Sequence, residues 1–369
     1  MSYYTQSHNR NIEPPKKIPI KIVNTILNKT FEANIYPWMT VAELKKKIEQ
    51  ELGLPVTLQR LFLRTQELSQ HNVTLLSYGI RKKSTISLRP PLNLKNKSGL
   101  IQAYENIPKK PVIKQIVFQS QEGFNLGLFP KPTLEGTSGV YFIRNSNRKN
   151  IGIFKPVDEE PFAPNNPKGY QGKLGSQGFR RGILSGEAAS REVAAYLIDE
   201  KEFFGVPPTT FVEVVHPYFG NRELAEEDIE ENYKDMAPIA STNLDKKLVK
   251  HGSFQKFIEN AEEASDYGSN MFPEDEVHKL AILDILILNC DRNEGNILIK
   301  KDSNKRFKLI PIDHGLSFPD TIDICSYELV WTEWPQIHKP FSEKEQEFIS
   351  TLNPKEDTIK LSKYIKFRD

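Results

Sequence analysis

Apolar residues alternate with others at Ile18, Ile20 and Ile22, and again at Phe31, Ala33 and Ile35 after a turn near Asn28. That period of two predicts a β-hairpin. Thr40 with Glu43 three residues on is a capping-box pattern, and Val41, Leu44, Ile48 and Leu52 follow at helical spacing until Gly53 stops the run. Leu58, Leu61 and Leu63 predict a further strand, Leu75, Leu76, Tyr78 and Ile80 a short compact stretch, and Ile86 and Leu88 a closing strand. Ahead of this pattern, residues 1–16 are polar, carry Pro14 and Pro15, and read as a disordered tail. After it, Pro90, Pro91, Lys95, Lys97, Lys109, Lys110 and Pro111 mark residues 91–120 as a linker. The expected domains are therefore 17–90 and 121–369. The second has strand-like runs near Val140, Ile151, Ile297 and Leu309 and helical ones at Ser190–Ile198 and Leu280–Leu288, an α+β mixture.

The chain has 369 residues, with 50 Lys and Arg against 48 Asp and Glu, a net charge of +2. The balance is uneven along the chain: residues 1–120 hold 19 basic and 7 acidic side chains, and the remainder is net acidic. Such a basic part could meet an anionic surface or the acidic part of its own chain. The densely acidic stretch from Glu223 to Glu231 reads as an exposed insertion. Two cysteines, Cys290 and Cys325, exclude a disulfide framework or a zinc ribbon built from this chain alone. The first 17 residues contain no apolar run of a secretory signal, and the most apolar stretch, Leu280 to Cys290, is too short to span a bilayer and contains Asp284. A cytoplasmic protein is expected, at most peripheral on a cytosolic membrane face.

The candidate chemistry lies in the second domain. Gly136-Thr137-Ser138-Gly139 sits before an apolar strand, where a glycine turn lets backbone amides approach a phosphate. Lys155 ends the next strand, and a lysine buried there calls for an anion such as nucleotide phosphates. Glu192, on the following helix, is the expected partner of Lys155, with Glu187 as runner-up. Further on, Asp291-x-x-x-x-Asn296 precedes an apolar strand, and a second strand delivers Asp313 directly before His314-Gly315. Phosphoryl transfer uses these residue types in this order: Asp291 to orient or deprotonate the attacking hydroxyl, Asn296 and Asp313 to hold Mg²⁺ on ATP. No Walker A sequence is present, which disfavours a P-loop enzyme. Cys290 reads as a packing residue, and His314 as a group supporting its neighbours.

The first domain resembles the ubiquitin superfold, a β-grasp, in its order of elements and in its letters: Thr40-Val41-Ala42-Glu43-Leu44-Lys45, Gln59-Arg60-Leu61-Phe62-Leu63, Leu76-Ser77-Tyr78-Gly79-Ile80 and Ser84-Thr85-Ile86. At the positions that match ubiquitin's apolar binding patch stand Phe62, Ser87 and Arg89, so binding to ordinary ubiquitin receptors is not implied. The second domain resembles the phosphatidylinositol 3/4-kinase superfamily, specifically the type II phosphatidylinositol 4-kinases and the plant-type gamma group. The marks are Phe154-Lys155-Pro156, Asp158 to Phe162, Asn166-Pro167-Lys168, Arg191 to Leu197, Asp291-Arg292 with Asn296, Ile312 to Phe318, and Trp334-Pro335-Gln336 before Lys339-Pro340-Phe341-Ser342. The resemblance implies a bilobal kinase-like fold in which Lys155 contacts the α/β-phosphates, Glu192 steadies it, Asp291 is the catalytic-loop carboxylate, Asn296 and Asp313 ligate Mg²⁺, and the turn Gly136, Thr137, Ser138 and Gly139 covers the phosphates. The adenine would lie under the strand Phe211–Val215. Membrane contact would fall to Lys168, Lys173, Arg180 and Arg181 with Tyr170 and Phe179, because no cysteine stands between Asn166 and Ser190. Three functions stay open: a kinase making phosphatidylinositol 4-phosphate at a membrane face, a protein serine/threonine kinase whose ubiquitin-like domain recruits substrate, and an inactive adaptor. ATP and Mg²⁺ are the implied cofactors. Phosphatidylinositol or a protein substrate, and a protein partner of the ubiquitin-like domain, are the implied partners; no nucleic acid is expected.

Overall fold

The computed structural model describes residues 17–24, 29–36, 38–64, 66–89, 99–220, 248–322 and 327–365. The expected tail 1–16, the hairpin turn near Asn28, residues 91–98 of the expected linker, the acidic stretch 223–231 and Cys325 lie outside these. The chain divides into two compact units, Met1–Leu92 and Asn93–Asp369.

In the first unit, strands β1 (Ile18–Asn24) and β2 (Lys29–Ile35) form the expected antiparallel hairpin, with Ile20 opposite Ala33 and Ile22 opposite Phe31. Helix α1 (Val41–Leu52) starts at the capping box: Thr40 N–H donates to Glu43 Oε2 at 2.7 Å, and Glu43 N–H to Thr40 Oγ1 at 3.3 Å. Gly53 ends it in the left-handed region at φ +66°, where a glycine avoids the Cβ clash. Strands β3 (Arg60–Leu63), β4 (Gln66–Glu67) and β5 (Thr85–Arg89) complete a sheet of order β2-β1-β5-β3-β4, with β1 and β5 parallel. The helix lays Val41, Leu44 and Ile48 on Ile20, Ile22, Leu61, Ile86 and Leu88, all essentially inaccessible to solvent, which is the β-grasp. Leu58 falls in a short 3-10 turn before β3, not in a strand. The Arg89 guanidinium lies 4.2 Å from the Phe62 ring centroid and that of Arg60 at 5.1 Å, so cations cover the ring that stands where ubiquitin has its apolar patch.

The second unit begins earlier than expected. Residues 91–120 read as a linker, but β6 (Leu100–Ala103) pairs antiparallel with a central strand of the unit, and Pro111–Asn125 is a helix, α2. The Lys/Pro composition hid the pattern: Ile113, Ile116, Ser120 and Phe124 are buried at helical spacing, and Pro111 occupies the first helical position, where a missing N–H costs nothing. A six-stranded sheet follows, of order β6-β10-β11-β9-β8-β7. Its other strands are β7 (Lys131–Pro132), β8 (Tyr141–Arg144), β9 (Asn150–Pro156), β10 (Thr209–Val215) and β11 (Val249–Lys256). Helix α3 (Ala188–Ile198) comes between β9 and β10. Tyr141, Ile143, Phe154, Val212, Val214 and Phe254 form the core of this lobe with Ile116 and Phe124 of α2. The strand beside the Lys155 strand is β11, not Phe211–Val215, which lies one strand further out; β11 and the residues from Phe257 on are the passage to the second lobe.

That lobe is built on β12 (Glu262–Glu263) and α4 (Glu274–Leu286), followed by β13 (Asp291–Arg292), the hairpin β14 (Ile297–Lys301) and β15 (Phe307–Pro311), and β16 (Glu328–Leu329). Leu280 and Ala281 pack on Ile297, Ile299, Leu309, Trp331 and Trp334. Helices α5 (Glu343–Ser350) and α6 (Pro354–Ser362) close the described chain.

Candidate active site

Lys155 lies near the end of β9, with Ser253 of β11 as its cross-strand neighbour. Its Nζ is 2.5 Å from Glu192 Oε1 and 3.2 Å from Asp313 Oδ1, so one ammonium joins the sheet, helix α3 and the segment after β15. Burial disfavours the ammonium, but the charges of Asp313 and Glu192 outweigh burial and raise its pKa. Burial likewise opposes ionisation of Glu192, and the Lys155 charge overrides it, holding that carboxyl well below the usual range. Glu187, the runner-up, pairs instead with Arg191 at 2.6 Å. Arg191 also donates to the carbonyls of Ser317 and Phe318, which ties α3 to the loop carrying Asp313. His314 is fully buried with Nδ1 3.6 Å from Glu192 Oε2, and burial pushes its pKa down, so it packs as a neutral ring.

The glycine turn joins β7 to β8. Gly136 has φ +82°, and a Cβ on Gly139 would land 2.1 Å from Glu159 Oε2. Glu159 is fully buried, accepts the Tyr141 hydroxyl at 2.5 Å and pairs with Lys250 at 3.0 Å; Lys250 also reaches Asp158 at 2.5 Å. The turn is braced from outside as well. Asn166 Nδ2 donates to Thr137 O at 2.8 Å and to the carbonyls of Glu159 and Glu160, and Lys168 Nζ to Thr133 O and Leu134 O at 2.7 and 2.8 Å. The start of α3 is held by Glu160, whose carboxylate accepts N–H bonds from Gly186, Ala188 and Ala189 at 2.7–3.1 Å. Burial nonetheless pushes the Glu160 carboxyl up to about 7.

Asp291 lies on β13, which pairs parallel with β16 and sets Asp291 beside Glu328. Arg180 Nη2 is 3.1 Å from Asp291 Oδ1 and 3.3 Å from Glu328 Oε2. Burial raises the Asp291 pKa, with Arg180 opposing. Asn296 Nδ2 donates to the Asp291 carbonyl at 2.8 Å, which turns its amide oxygen away from the chain. Asp313 has φ +53°, a left-handed backbone that an aspartate tolerates at some cost, and its side chain is half-exposed. One amide oxygen and one carboxylate are hard donors of the kind Mg²⁺ prefers, so the residues present fit that ion.

Two features escaped sequence reasoning. The basic cluster expected to meet a membrane is partly committed within the site: Lys168 braces the glycine turn and Arg180 contacts Asp291. Tyr170 and Phe179 are half-exposed and pack on each other and on Phe162. Second, Arg292 is fully buried against Asp284 at 3.0 Å and donates through Nη1 to the carbonyls of Asn296 and Ile312 at 2.7 and 2.6 Å. The signal was Asp284 itself, an acid inside an apolar run. Cys290 is buried, in keeping with a packing role. No helix among the described residues is long and apolar enough to cross a membrane.

Comparison with known proteins adds two family matches: "Phosphatidylinositol 3- and 4-kinase" over residues 136–366 and "Ubiquitin family" over residues 20–89. Among similar proteins, Phosphatidylinositol 4-kinase gamma 7 of Arabidopsis thaliana is 41% identical over 286 residues, covering 75% of this chain and 42% of the relative. Phosphatidylinositol 4-kinase gamma 5 of the same plant is 36% identical over 330 residues, 84% of this chain and 50% of the relative. The chain thus spans about half the length of these curated relatives. The kinase match covers more than half of the sequence and contains every residue of the cluster around Lys155, and on that ground the chain belongs to the phosphatidylinositol 3- and 4-kinase family, with a ubiquitin-family unit preceding the matched region.

Proposed function

We propose that the chain is an ATP- and Mg²⁺-dependent kinase that phosphorylates phosphatidylinositol to phosphatidylinositol 4-phosphate while peripheral on a cytosolic membrane face. The observation that carries the reading is the ion cluster in which Lys155 touches both Glu192 and Asp313. It brings a phosphate-binding cation next to a candidate metal ligand, as ATP chemistry requires. In this reading Lys155 binds the α/β-phosphates, the turn Gly136–Gly139 covers them with backbone N–H groups, and Asn296 and Asp313 hold Mg²⁺, which neutralises charge on the transferring group. Asp291 orients the lipid hydroxyl and takes its proton while the hydroxyl oxygen bonds to the γ-phosphorus and the β–γ bridging P–O bond breaks. The names of the relatives support the 4-position of phosphatidylinositol as the acceptor. The ubiquitin-like unit is read as a protein-interaction module.

The test is phosphate transfer from γ-labelled ATP with Mg²⁺, offering phosphatidylinositol vesicles and a generic protein substrate in parallel, with Asp313→Ala as the blank. Label in the lipid, lost in the variant, is expected. Label in protein alone refutes the lipid reading, and label in neither refutes phosphotransfer by this chain.

A further inference from the structure

Arg180 stands where the phosphate acceptor must arrive. Its guanidinium bridges two carboxylates, Asp291 at 3.1 Å and Glu328 at 3.3 Å, and remains partly exposed. Those carboxylates are neighbours by construction, since Asp291 and Glu328 are opposite each other in the parallel pair β13–β16. Arg180 is itself delivered by a pinned loop. Gly178 N–H donates to Ile183 O at 2.8 Å, Gln177 Nε2 to Arg180 O at 2.6 Å, and Asp320 N–H to Gly182 O at 3.1 Å, which fixes the loop on the segment that follows Asp313. Gly182 allows this close approach: at φ +81° its Cβ would lie 2.6 Å from Asp320 Oδ1.

Two carboxylates share one guanidinium here, so the three side chains carry a net negative charge, and the fork of Arg180 has donors that a phosphodiester would fill bidentately. Asp291 cannot receive a substrate hydroxyl at Oδ1 while Arg180 occupies that oxygen. We propose that Arg180 recognises the phosphodiester of the phosphoinositide headgroup and, until that group arrives, masks Asp291. The inference rests on the lipid-kinase reading above and deepens it. The incoming phosphodiester draws the guanidinium off Asp291, so the proton acceptor is uncovered only when an acceptor is bound. Without the mask, water can serve instead: its oxygen bonds to the γ-phosphorus, the β–γ bridging P–O bond breaks, and its proton passes through Asp291 to solvent, giving ADP and phosphate.

The experiment compares the full chain with Arg180→Ala, Arg180→Lys and Asp291→Asn. Phosphatidylinositol is presented in non-ionic detergent micelles at varied mole fraction, so that headgroup recognition is separated from adsorption to a charged surface. For Arg180→Ala the expected results are a KM for lipid mole fraction raised roughly tenfold to a hundredfold, a KM for ATP unchanged, and faster ATP hydrolysis in micelles lacking the lipid. Arg180→Lys recovers part of the lipid KM. An unchanged lipid KM overturns the inference, as does a fall in kcat with both KM values unchanged, which would make Arg180 a mere loop anchor. Wild-type transfer by Asp291→Asn instead overturns the assignment of Asp291, a failure distinct from that of Arg180.

Discussion

Asp284 is the most heavily used carboxylate in the second lobe. Within 2.9–3.2 Å it accepts from Arg292 Nε and Nη2, from Asn289 Nδ2 and from Trp331 Nε1, and neither member of the Asp284–Arg292 pair is accessible to solvent. Asp284→Ala leaves a buried guanidinium without its counter-charge and strands two neutral donors. Breaking such a pair costs about 3–5 kcal/mol, because the remaining ion has already lost its water. At about 3 kcal/mol per molar urea, that lowers the unfolding midpoint by about 1–2 M. Three tryptophans are present, Trp38 in the first unit and Trp331 and Trp334 in the second lobe. Fluorescence in a Trp38→Phe background therefore reports on the lobe alone. The second arm is Asp284→Leu combined with Arg292→Met, which removes both charges and keeps the volume. The pair should show a coupling of about 2–3 kcal/mol, the double variant being less destabilised than the sum of the single ones. Arg292 also holds the carbonyls of Asn296 and Ile312, so phosphate transfer should be lost in Asp284→Ala even under conditions where the chain stays folded. A cost under about 1 kcal/mol with no coupling would refute the claim that this ion pair organises the metal-binding loops.

Lys155→Met removes the ammonium shared by Glu192 and Asp313, and the transfer rate should fall roughly 10²–10³-fold; a variant with wild-type turnover would remove Lys155 from the mechanism. Gly139→Ala should lower the melting temperature more than Gly136→Ala, by about 1–2 kcal/mol in stability, because its Cβ meets the buried Glu159 carboxylate, whereas Gly136 has open space and a backbone penalty only; equal losses would mean that Glu159 swings aside. Glu160 ties stability to pH. Its carboxyl titrates near 7 in the folded chain against an ordinary value of 4.5, so the native state binds more protons between those limits. Stability should therefore fall by up to about 3 kcal/mol as pH rises from 4.5 through 7, and level off above. Denaturant titrations across that range should show a shallower slope in Glu160→Gln, and an identical slope would mean that the three N–H bonds hold Glu160 ionised throughout.

The parts that were legible in the sequence are those in which a local pattern carries a physical demand. The β-grasp follows from alternation at Ile18 to Ile35 and from a capping box that satisfies N–H groups at the start of α1. The contact of Lys155 with Glu192 was expected on the same logic, since a cation on a buried strand requires an anion. Asp284 issued the same demand from inside an apolar helix, and its answer, Arg292, stood eight residues away among letters that drew the eye to Asp291 and Asn296. Exposure relaxes the demand. Lys168 and Arg180 occur in a glycine-rich polar stretch where a cation is stable without any partner, so nothing in their neighbours foretells that one braces the glycine turn and the other reaches Asp291 across 111 positions of sequence. Helix α2 fails for a related reason. Lysines and prolines set the composition of its approach, while three buried apolar residues, Ile113, Ile116 and Phe124, decide its place in the fold. Composition averages over both faces of an element, and only the buried face contributes the free energy that docks it. For that reason the periodicity of a few apolar letters outweighs the character of the many polar ones between them.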